Sequence, residues 1–375
     1  MARARSNSRG RWVGRLALVA FGCAVGAVVA ALGLAALEWN ALRQDVSHFE
    51  RVATEWHDPN TRFDSELGWR PIPSRRVRLP WGEIRTNEQG FRSDPLRRDA
   101  EAVAVLGDSV AWGWGVAANQ TFAGRLDRAV RELGWQVSNL AVSGYGLGQS
   151  YLWLVTQRQS LPALRHAVLA ICADNDIDDT AANSRYGRRK PVYRMRDGQL
   201  RLEGTPIARY SLRHWYTDSG AMRGLLARAP RLEAATLARL GDLRVEPEEA
   251  NEVVGALLAA MRDEVRGRGG TLHAVLLPSR RDWDALSTNY QLLRRAVREA
   301  GIPLVEPRTL LQLVASSPDE VFFDASHLTP AAHTIVSLTL QWHLTRYEKS
   351  GPASSQRPAT PSSGFSNRGH VPRQS

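Results

Sequence analysis

Four short polar segments of this sequence follow apolar runs or precede a helix, and together they hold the side chains used in acyl transfer. The segment Gly-Asp-Ser at 107–109 follows the apolar run 100–106. Gly144 follows the run 135–142, and Asn175 follows the run 166–173. Asp324 and His327 stand in a loop just before the last predicted helix, whose start is marked by a threonine and a proline. In an open α/β sheet, ligands bind beyond the carboxyl ends of the strands. We therefore look for a site among these segments.

A serine acts as a nucleophile only with help from other groups. The hydroxyl of Ser109 is a weak nucleophile and needs a base within hydrogen-bond reach. His327 can take its proton and later return it to the leaving group, while Asp324 fixes the tautomer of the imidazole. The negative oxygen of a tetrahedral intermediate needs preorganised donors. The amides of Ser109 and Gly144 and the side chain of Asn175 can supply them.

The elements that would position these residues alternate between strands and helices. Apolar runs predict strands at 100–106, 135–142, 166–173, 271–278 and 302–307, and helical periodicity predicts helices at 121–133, 149–160, 248–269, 290–301 and 330–344. Near-continuous apolar strands that alternate with helices indicate a parallel sheet covered on both faces. We therefore predict one α/β domain over residues 100–347.

Apart from the amino-terminal residues 1–37, three segments lie outside this alternation. Residues 38–99 are predicted to be a juxtamembrane and lead-in segment, and residues 348–375, rich in Ser, Pro, Gly and Arg, a disordered tail. An insertion at 180–245 contains Asp197-Gly198, a two-residue hairpin signal. Whether this insertion caps a site or is exposed filler stays open at this point.

The four segments resemble the motif blocks of SGNH/GDSL-type hydrolases, a family named for the Ser, Gly, Asn and His of its blocks. Here the blocks are GDS at 107–109, Gly144 within NLAVSGYG, Asn175 within ADND, and DASH at 324–327. The resemblance implies a flavodoxin-like three-layer sandwich with a central parallel sheet, the SGNH hydrolase fold. Ala173 departs from the pattern, because the family more often has glycine at that position of the turn.

The resemblance also implies a role for each residue. Ser109 would be the nucleophile, His327 the base and Asp324 its orienting acid. Ser109, Gly144 and Asn175 would form the oxyanion hole. The segment TNEQGFRSDP at 86–95 resembles a lead-in found in membrane-anchored members associated with cell-surface polysaccharide.

The amino-terminal segment has the composition of a membrane anchor. Residues 16–37 are 22 consecutive uncharged, mostly apolar residues, preceded by the basic segment 1–15. At about 1.5 Å per residue such a helix reaches roughly 33 Å, enough for a hydrocarbon core of about 30 Å. The flanking charges place the amino terminus inside. We predict a single-pass protein of the inner (plasma) membrane with a periplasmic or extracellular catalytic domain, the alternative being a signal peptide cleaved near Gly33-Leu34-Ala35.

The net charge of +11 does not indicate a nucleic-acid binder. Five arginines lie within 1–15 and four basic residues within 349–375, and neither segment holds an acid. The remaining body therefore carries a net charge of only +2 and has no evident basic face for phosphates.

Other motifs are weaker. The acidic run at 174–179 lacks the glycine and glutamate of a calcium loop, so it is predicted to be a solvated acidic loop. Gly144 and Gly146 have the spacing of the first two glycines of a dinucleotide-binding turn, but Gln149 stands where the third glycine would be. Trp112 and Trp114 fit either stacking on a sugar ring or packing in the core. No metal or organic cofactor is expected.

These observations predict a serine esterase. It would remove a short, acetyl-like O-acyl group from a surface glycan or related ester through an acyl-enzyme. Three alternatives remain: an O-acyltransferase with the same triad, a lipid acyl hydrolase, and a non-catalytic scaffold for polysaccharide assembly.

Overall fold

A computed structural model describes most of the region between residues 60 and 350. The described ranges are 60–97, 99–161, 163–185, 188–207 and 244–350, with a few single residues or short runs between 15 and 29. The predicted anchor at 16–37 lies largely outside these ranges, as do residues 38–59, residues 208–243 of the insertion and the tail beyond residue 350. No helix in the described ranges has the length and apolar character to cross a membrane.

The described ranges between residues 60 and 350 contain thirteen strands and eight α-helices. The strands are β1 (Thr61–Asp64), β2 (Gly68–Pro71), β3 (Arg76–Leu79), β4 (Gly82–Arg85), β5 (Glu101–Leu106), β6 (Trp135–Asn139), β7 (Leu164–Cys172), β8 (Ser184–Arg185), β9 (Arg188–Arg189), β10 (Val192–Arg196), β11 (Gln199–Glu203), β12 (Thr271–Leu277) and β13 (Leu304–Val305). The helices are α1 (Ser109–Trp112), α2 (Phe122–Val130), α3 (Leu147–Thr156), α4 (Asp176–Ala181), α5 (Pro247–Gly267), α6 (Thr288–Glu299), α7 (Arg308–Val314) and α8 (Pro330–Ser350).

The central sheet has five parallel strands in the order β13-β12-β7-β5-β6. Numbered along the chain within this sheet, the order is 2-1-3-4-5, which is that of flavodoxin-like folds. The predicted α/β fold with a central parallel sheet is thereby confirmed. The order reverses beside β5, and ligands of open α/β sheets bind beyond the carboxyl ends of the strands at such a point, which is where Ser109 follows.

Both faces of the sheet are covered, which explains why its strands are almost uniformly apolar. All but one of the nine residues of β7 are buried. Helices α3, α5 and α6 contribute to the hydrophobic cluster on one face, and α2 and α8 to the cluster on the other. The result is the predicted three-layer arrangement of helices, sheet and helices.

The segment ahead of β5 is part of the folded core. Its two hairpins, β1-β2 and β3-β4, are antiparallel. Leu67, Trp69 and Phe91 belong to the cluster on one face of the sheet and Ile84 to the other, and none is more than 2% exposed. The predicted lead-in therefore packs directly against the α/β domain from residue 60 onward.

The described part of the insertion contains the hairpin that the sequence predicts. Strands β10 and β11 pair antiparallel, and Asp197 and Gly198 between them have φ angles of 52° and 71°. Two positive φ angles are typical of the tight turn that joins such strands. The hairpin packs beside α5, where Arg194 forms an ion pair with Glu249 at 2.7 Å.

Candidate active site

The turn that presents Ser109 is built from a glycine, a capping aspartate and a very short helix. Gly107 has a φ angle of +144°, and a Cβ there would lie 2.7 Å from the carbonyl oxygen of Ala170. The side chain of Asp108 caps α1 by accepting a hydrogen bond of 2.9 Å from the amide of Val110. Ser109 is therefore the first residue of the helix, held at the carboxyl end of β5 and 8% exposed.

The structure brings Ser109, His327 and Asp324 into one hydrogen-bonded row. Nε2 of His327 lies 2.9 Å from Oγ of Ser109, although 218 residues separate them in sequence. Nδ1 of His327 lies 2.7 Å from Oδ2 of Asp324. We call these three residues the triad. Since an ionised aspartate only accepts hydrogen bonds, it holds the ring proton on Nδ1 and leaves Nε2 free to accept the proton of Ser109.

Asp324 is itself held by the backbone of its loop. Its Oδ1 accepts hydrogen bonds from the amides of Ser326 and His327 at 3.0 and 2.9 Å. Burial disfavours the ionised carboxyl, but these two amides and the ring of His327 outweigh that effect and lower the pKa of Asp324 from its ordinary value. The acid is therefore kept ionised where the ring needs it.

Gly144 lies in the loop after β6, beside the Ser109 turn. The amide of Val142 donates to the carbonyl of Gly107 at 3.0 Å, which joins the two loops. The indole of Trp69 donates to the carbonyl of Ser143 at 3.1 Å. Gly144 has a φ angle of +79°, so this turn favours glycine.

Two backbone amides at these loops are free to stabilise a negative oxygen. Within the ranges that the structure describes, the amides of Ser109 and Gly144 have no hydrogen-bond partner. Unpaired backbone donors at a helix start and a glycine turn are suited to bind a developing oxyanion. This is the arrangement expected if these two amides are part of an oxyanion hole.

Asn175 lies beyond β7 and reaches the nucleophile turn through its neighbour. Its Nδ2 donates to Oδ2 of Asp108 at 3.1 Å and to Oδ2 of Asp179 at 2.6 Å. Ala173, the departure from the family pattern, is buried and is not among the described residues with positive φ. Alanine therefore fits this turn without strain.

The prediction of a solvated acidic loop at 174–179 is wrong for two of its carboxylates. Asp176 and Asp179 are each 2% exposed and lie on the buried side of α4. Oδ2 of Asp176 accepts the amide of Cys172 at 2.6 Å. Asp174 and Asp178 are the more exposed members of the run.

Burial next to the nucleophile shifts the pKa values of this cluster. Burial raises the pKa of Asp108, and that of Asp176 well above its ordinary value, with the nearby charge of Asp108 adding to the rise at Asp176. Burial likewise raises the pKa of Asp179, against the opposing charges of Lys190 and Arg185. Lys190 is 3% exposed, and burial lowers its pKa to about 8.

Arg92 is a supporting residue to which sequence reasoning assigned no role. Its guanidinium donates to the carbonyls of Trp112, Gly113 and Val116 at 2.7, 2.8 and 2.7 Å. It also stacks on the ring of Trp112, 4.2 Å from its centroid. Arg92 thereby fixes the chain that leaves the nucleophile helix. The sequence signal for this residue is its position in the segment 86–95, which resembles the lead-in of membrane-anchored family members.

The two tryptophans after the nucleophile have different surroundings. Trp112 is 3% exposed and packs in the core. Trp114 is half-buried, and its ring centroid lies 6.4 Å from that of His327. Phe323, next to Asp324 in the chain, is 53% exposed. Trp114 and Phe323 therefore form an apolar rim at the triad.

The described residues contain the parts that acyl transfer from a serine requires. A nucleophile, a base, an orienting acid and unpaired backbone donors meet at the carboxyl edge of the sheet, which is the arrangement of a serine hydrolase. In the same ranges, no group of three or more His, Cys, Asp or Glu side chains is arranged to hold a metal ion.

Comparison with known proteins adds weak structural similarities. No protein-family model matches the sequence, and no curated protein matches it. The chain is similar to a lipase/acylhydrolase from Enterococcus faecalis, with 9% identity, a TM-score of 0.38, and coverage of 66% of this chain and 96% of that one. It is similar to a psychrotrophic esterase from Pseudoalteromonas sp., with 9% identity, a TM-score of 0.38, and coverage of 66% and 99%. A two-domain esterase active on acetylated mannans has 10% identity, a TM-score of 0.40, and coverage of 70% and 53%. Similarity at this level carries no conclusion about function, which has to come from the site itself.

Proposed function

We propose that this protein is an SGNH-type serine esterase that removes short O-acyl groups, such as acetyl, from a surface glycan or a related ester. The observation that carries the proposal is the row of contacts from Ser109 through His327 to Asp324, at 2.9 and 2.7 Å. A serine that only forms part of a turn does not require a histidine whose other nitrogen is held by a carboxylate.

The acylation step follows from this geometry. Oγ of Ser109 attacks the ester carbonyl carbon while Nε2 of His327 takes the hydroxyl proton. The amides of Ser109 and Gly144 and the side chain of Asn175 donate to the oxyanion of the tetrahedral intermediate. The intermediate collapses to an acyl-serine, and His327 returns the proton to the alcohol that leaves.

Deacylation repeats the same steps with water. Nε2 of His327 takes a proton from water as its oxygen attacks the acyl carbon of the modified Ser109. The second intermediate releases the free acid, and the proton returns from His327 to Oγ of Ser109. Asp324 stays ionised throughout and stabilises the imidazolium that forms in each half of the cycle.

The openness of the site supports a bulky alcohol portion in the substrate. The side chain of Asp324 is 54% exposed, and Phe323 beside it is 53% exposed. The apolar rim of Trp114 and Phe323 gives a sugar ring a surface for stacking. A short acyl group would then need little enclosed space beside Ser109.

The proposed location is the outer face of the inner (plasma) membrane. The apolar run at 16–37 would anchor the chain, with the folded domain in the periplasm or outside the cell. An enzyme held there meets surface glycans rather than cytoplasmic esters.

The test is hydrolysis of nitrophenyl esters from acetate to laurate by the full-length protein, alongside Ser109→Ala. Activity on short esters that the substitution abolishes would support the proposal. A preference for long chains would instead favour a lipid acyl hydrolase. Faster acylation of added glycan than release of free acid would favour an O-acyltransferase. Activity that survives Ser109→Ala would contradict the serine mechanism.

A further inference from the structure

Both N–H groups of the Asn175 side-chain amide are engaged in hydrogen bonds. A primary amide has two N–H groups. Those of Asn175 are donated to Asp108 and Asp179, whose carboxylates are each 2% exposed. Neither N–H is left over for an oxyanion. Asn175 can stabilise the intermediate only by exchanging or sharing one of these hydrogen bonds.

The two hydrogen bonds of Asn175 differ in length and in how their acceptors are held. The bond to Asp179 is 2.6 Å and the bond to Asp108 is 3.1 Å. Arg185 forms an ion pair with the other carboxylate oxygen of Asp179 at 3.1 Å, and the ammonium group of Lys190 donates to the backbone carbonyl of Asp179. Asn175 therefore makes its shorter hydrogen bond to Asp179, a residue that two cationic side chains hold in place.

The longer bond lies on the side of the nucleophile. Asp108 directly precedes Ser109, and its other carboxylate oxygen caps the helix that begins with this serine. The N–H that Asn175 directs at Asp108 therefore faces the Ser109 turn. This N–H is the one placed to move to an oxyanion that forms at Ser109.

We propose that Asp179 is a positioning residue that orients the amide of Asn175 for oxyanion stabilisation. This inference rests on the proposed function. Asp179 keeps one N–H of Asn175 during the reaction, and the other N–H turns from Asp108 to the oxyanion. No covalent bond or proton transfer at Asp179 is involved.

The charge of Asp179 is what fixes the direction of the amide. Asp179 accepts from Asn175 on one oxygen and faces Arg185 with the other, so both of its neighbours are donors. An asparagine at 179 has one acceptor and one donor end, and it would set an N–H against one of them. The amide of Asn175 would then be free to turn its oxygen toward the nucleophile, where it repels an oxyanion.

The test is a double-mutant cycle on kcat for a short nitrophenyl ester, using the full-length protein. Asn175→Ala should lower kcat by about 100- to 1000-fold, the usual effect of losing one oxyanion donor. Asp179→Asn should lower kcat by roughly 10-fold or more with KM nearly unchanged, because the lost interaction belongs to the transition state. In the Asn175→Ala background, Asp179→Asn should change kcat by less than about 3-fold, since its effect passes through Asn175.

A neighbouring carboxylate provides the matched control. Asp178 lies one residue away, with 55% of its side chain exposed, and pairs with Arg244 on the surface. Asp178→Asn should leave kcat and KM unchanged. If Asp179→Asn reduces folding, Arg185→Gln is the second variant. It removes the cation that pairs with the carboxylate of Asp179, and 32% of the Arg185 side chain is exposed. Its effect on kcat should also disappear in the Asn175→Ala background.

Additive effects of the two substitutions would overturn the inference, because they would show that Asp179 acts independently of Asn175. An unchanged kcat in Asp179→Asn would overturn it as well. Either outcome leaves the proposed esterase intact as long as Ser109→Ala is inactive. Failure of the proposed function itself is recognised separately, by hydrolysis that persists in Ser109→Ala.

Discussion

The triad depends on which nitrogen of His327 carries the proton. Asp324 accepts from Nδ1 of the ring at 2.7 Å, and its second oxygen is held by two backbone amides. Only this tautomer leaves Nε2 as an acceptor for the hydroxyl of Ser109, 2.9 Å away. The orientation of one carboxylate therefore controls the reactivity of a serine that it does not touch.

We expect Asp324→Asn to lower kcat/KM by about 1000-fold or more, since an asparagine can keep both backbone hydrogen bonds but can place its NH₂ against Nδ1. The ring proton would then sit on Nε2, where it blocks proton transfer from Ser109. Ester hydrolysis by the purified variant measures the effect. Asp319→Asn, a surface carboxylate that pairs with Arg280, is the matched control and should retain full activity. Equal activity of the two variants would contradict the role given to Asp324.

At this scale the sequence predicts residues that carry chemistry better than residues that support them. Ser109, Asp324 and His327 stand in short recognisable motifs, and the structure brings them together. Asp179 and Arg92 could not be assigned in the same way. Their roles depend on distances to backbone and side chains far along the chain, which spacing in the sequence does not record.

The turn after the nucleophile helix depends on a side chain from the segment before β5. Arg92 is 5% exposed and donates to three carbonyls of this turn, one of which, that of Gly113, also accepts from the amide of Val116 at 3.3 Å. A planar guanidinium can bond several carbonyls in fixed directions, whereas an ammonium group is a point charge on a flexible stem.

Arg92→Lys should therefore lower the free energy of unfolding by about 2 kcal/mol, because buried carbonyls lose charge-assisted hydrogen bonds. It should also lower kcat, since the turn carries Trp114 beside His327. Urea unfolding and ester hydrolysis measure the two effects. Arg78→Lys, at an exposed position in β3, should change neither. If Arg92→Lys had normal stability and normal kcat, the turn would not depend on the guanidinium of Arg92.

Helices α2 and α8 meet at a buried histidine. His333 is 0% exposed, and its Nδ1 accepts the amide of Phe122 at 3.2 Å. Burial, with the charges of Arg92 and Arg125 adding to it, lowers the pKa of His333 to about 3. The folded state therefore keeps this ring neutral under conditions in which the unfolded chain, with a pKa of about 6.5, is protonated.

His333 should make the contact between these helices sensitive to acid. Its contribution to stability is complete above about pH 6.5 and falls by about 1.4 kcal/mol per pH unit as the pH drops toward about 3. His333→Asn keeps an acceptor for the amide of Phe122 but does not titrate. The difference in unfolding free energy between the native protein and this variant should shift in favour of the variant between about pH 7 and about pH 5. A pH-independent difference would contradict the buried neutral state.

The elements themselves were largely predictable, and their ends were less so. The strand predicted at 135–142 ends at Asn139, although the amides of Leu140 and Val142 still donate to the carbonyls of Val105 and Gly107. Hydrophobicity continues past the regular ladder because these residues remain buried. The strand predicted at 302–307 is reduced to Leu304–Val305 at the edge of the sheet, where a single neighbour pairs with it.

At the scale of the whole molecule, the folded unit begins before the first strand of the central sheet. The sequence predicts only a juxtamembrane and lead-in segment over residues 38–99, and its composition gives no sign that Trp69 and Phe91 are buried. Trp69 links this segment to the site because its indole N–H donates a hydrogen bond to the carbonyl of Ser143, next to Gly144. The lead-in is thus part of what shapes the proposed oxyanion hole.

Charge and hydropathy along the chain predict how the full-length protein should fractionate. Its basic ends flank a nearly neutral body, and the apolar run at 16–37 is long enough to anchor it. We expect the full chain to sediment with membranes after a carbonate wash, and a chain lacking residues 1–37 to stay in the supernatant. Release of the full chain by carbonate would contradict the proposed anchor without bearing on the chemistry of the site.

The most direct test of the central claim is the site of covalent labelling by a nitrophenyl phosphonate, located by peptide mass spectrometry. If His327 activates Ser109, the phosphonyl group should be found on the peptide that contains Ser109, at close to one per chain. Labelling should be much slower in His327→Ala and absent in Ser109→Ala, while Ser143→Ala, a serine in the neighbouring loop, should label normally. Labelling of another residue, or labelling of Ser109 that is unaffected by loss of His327, would contradict the account.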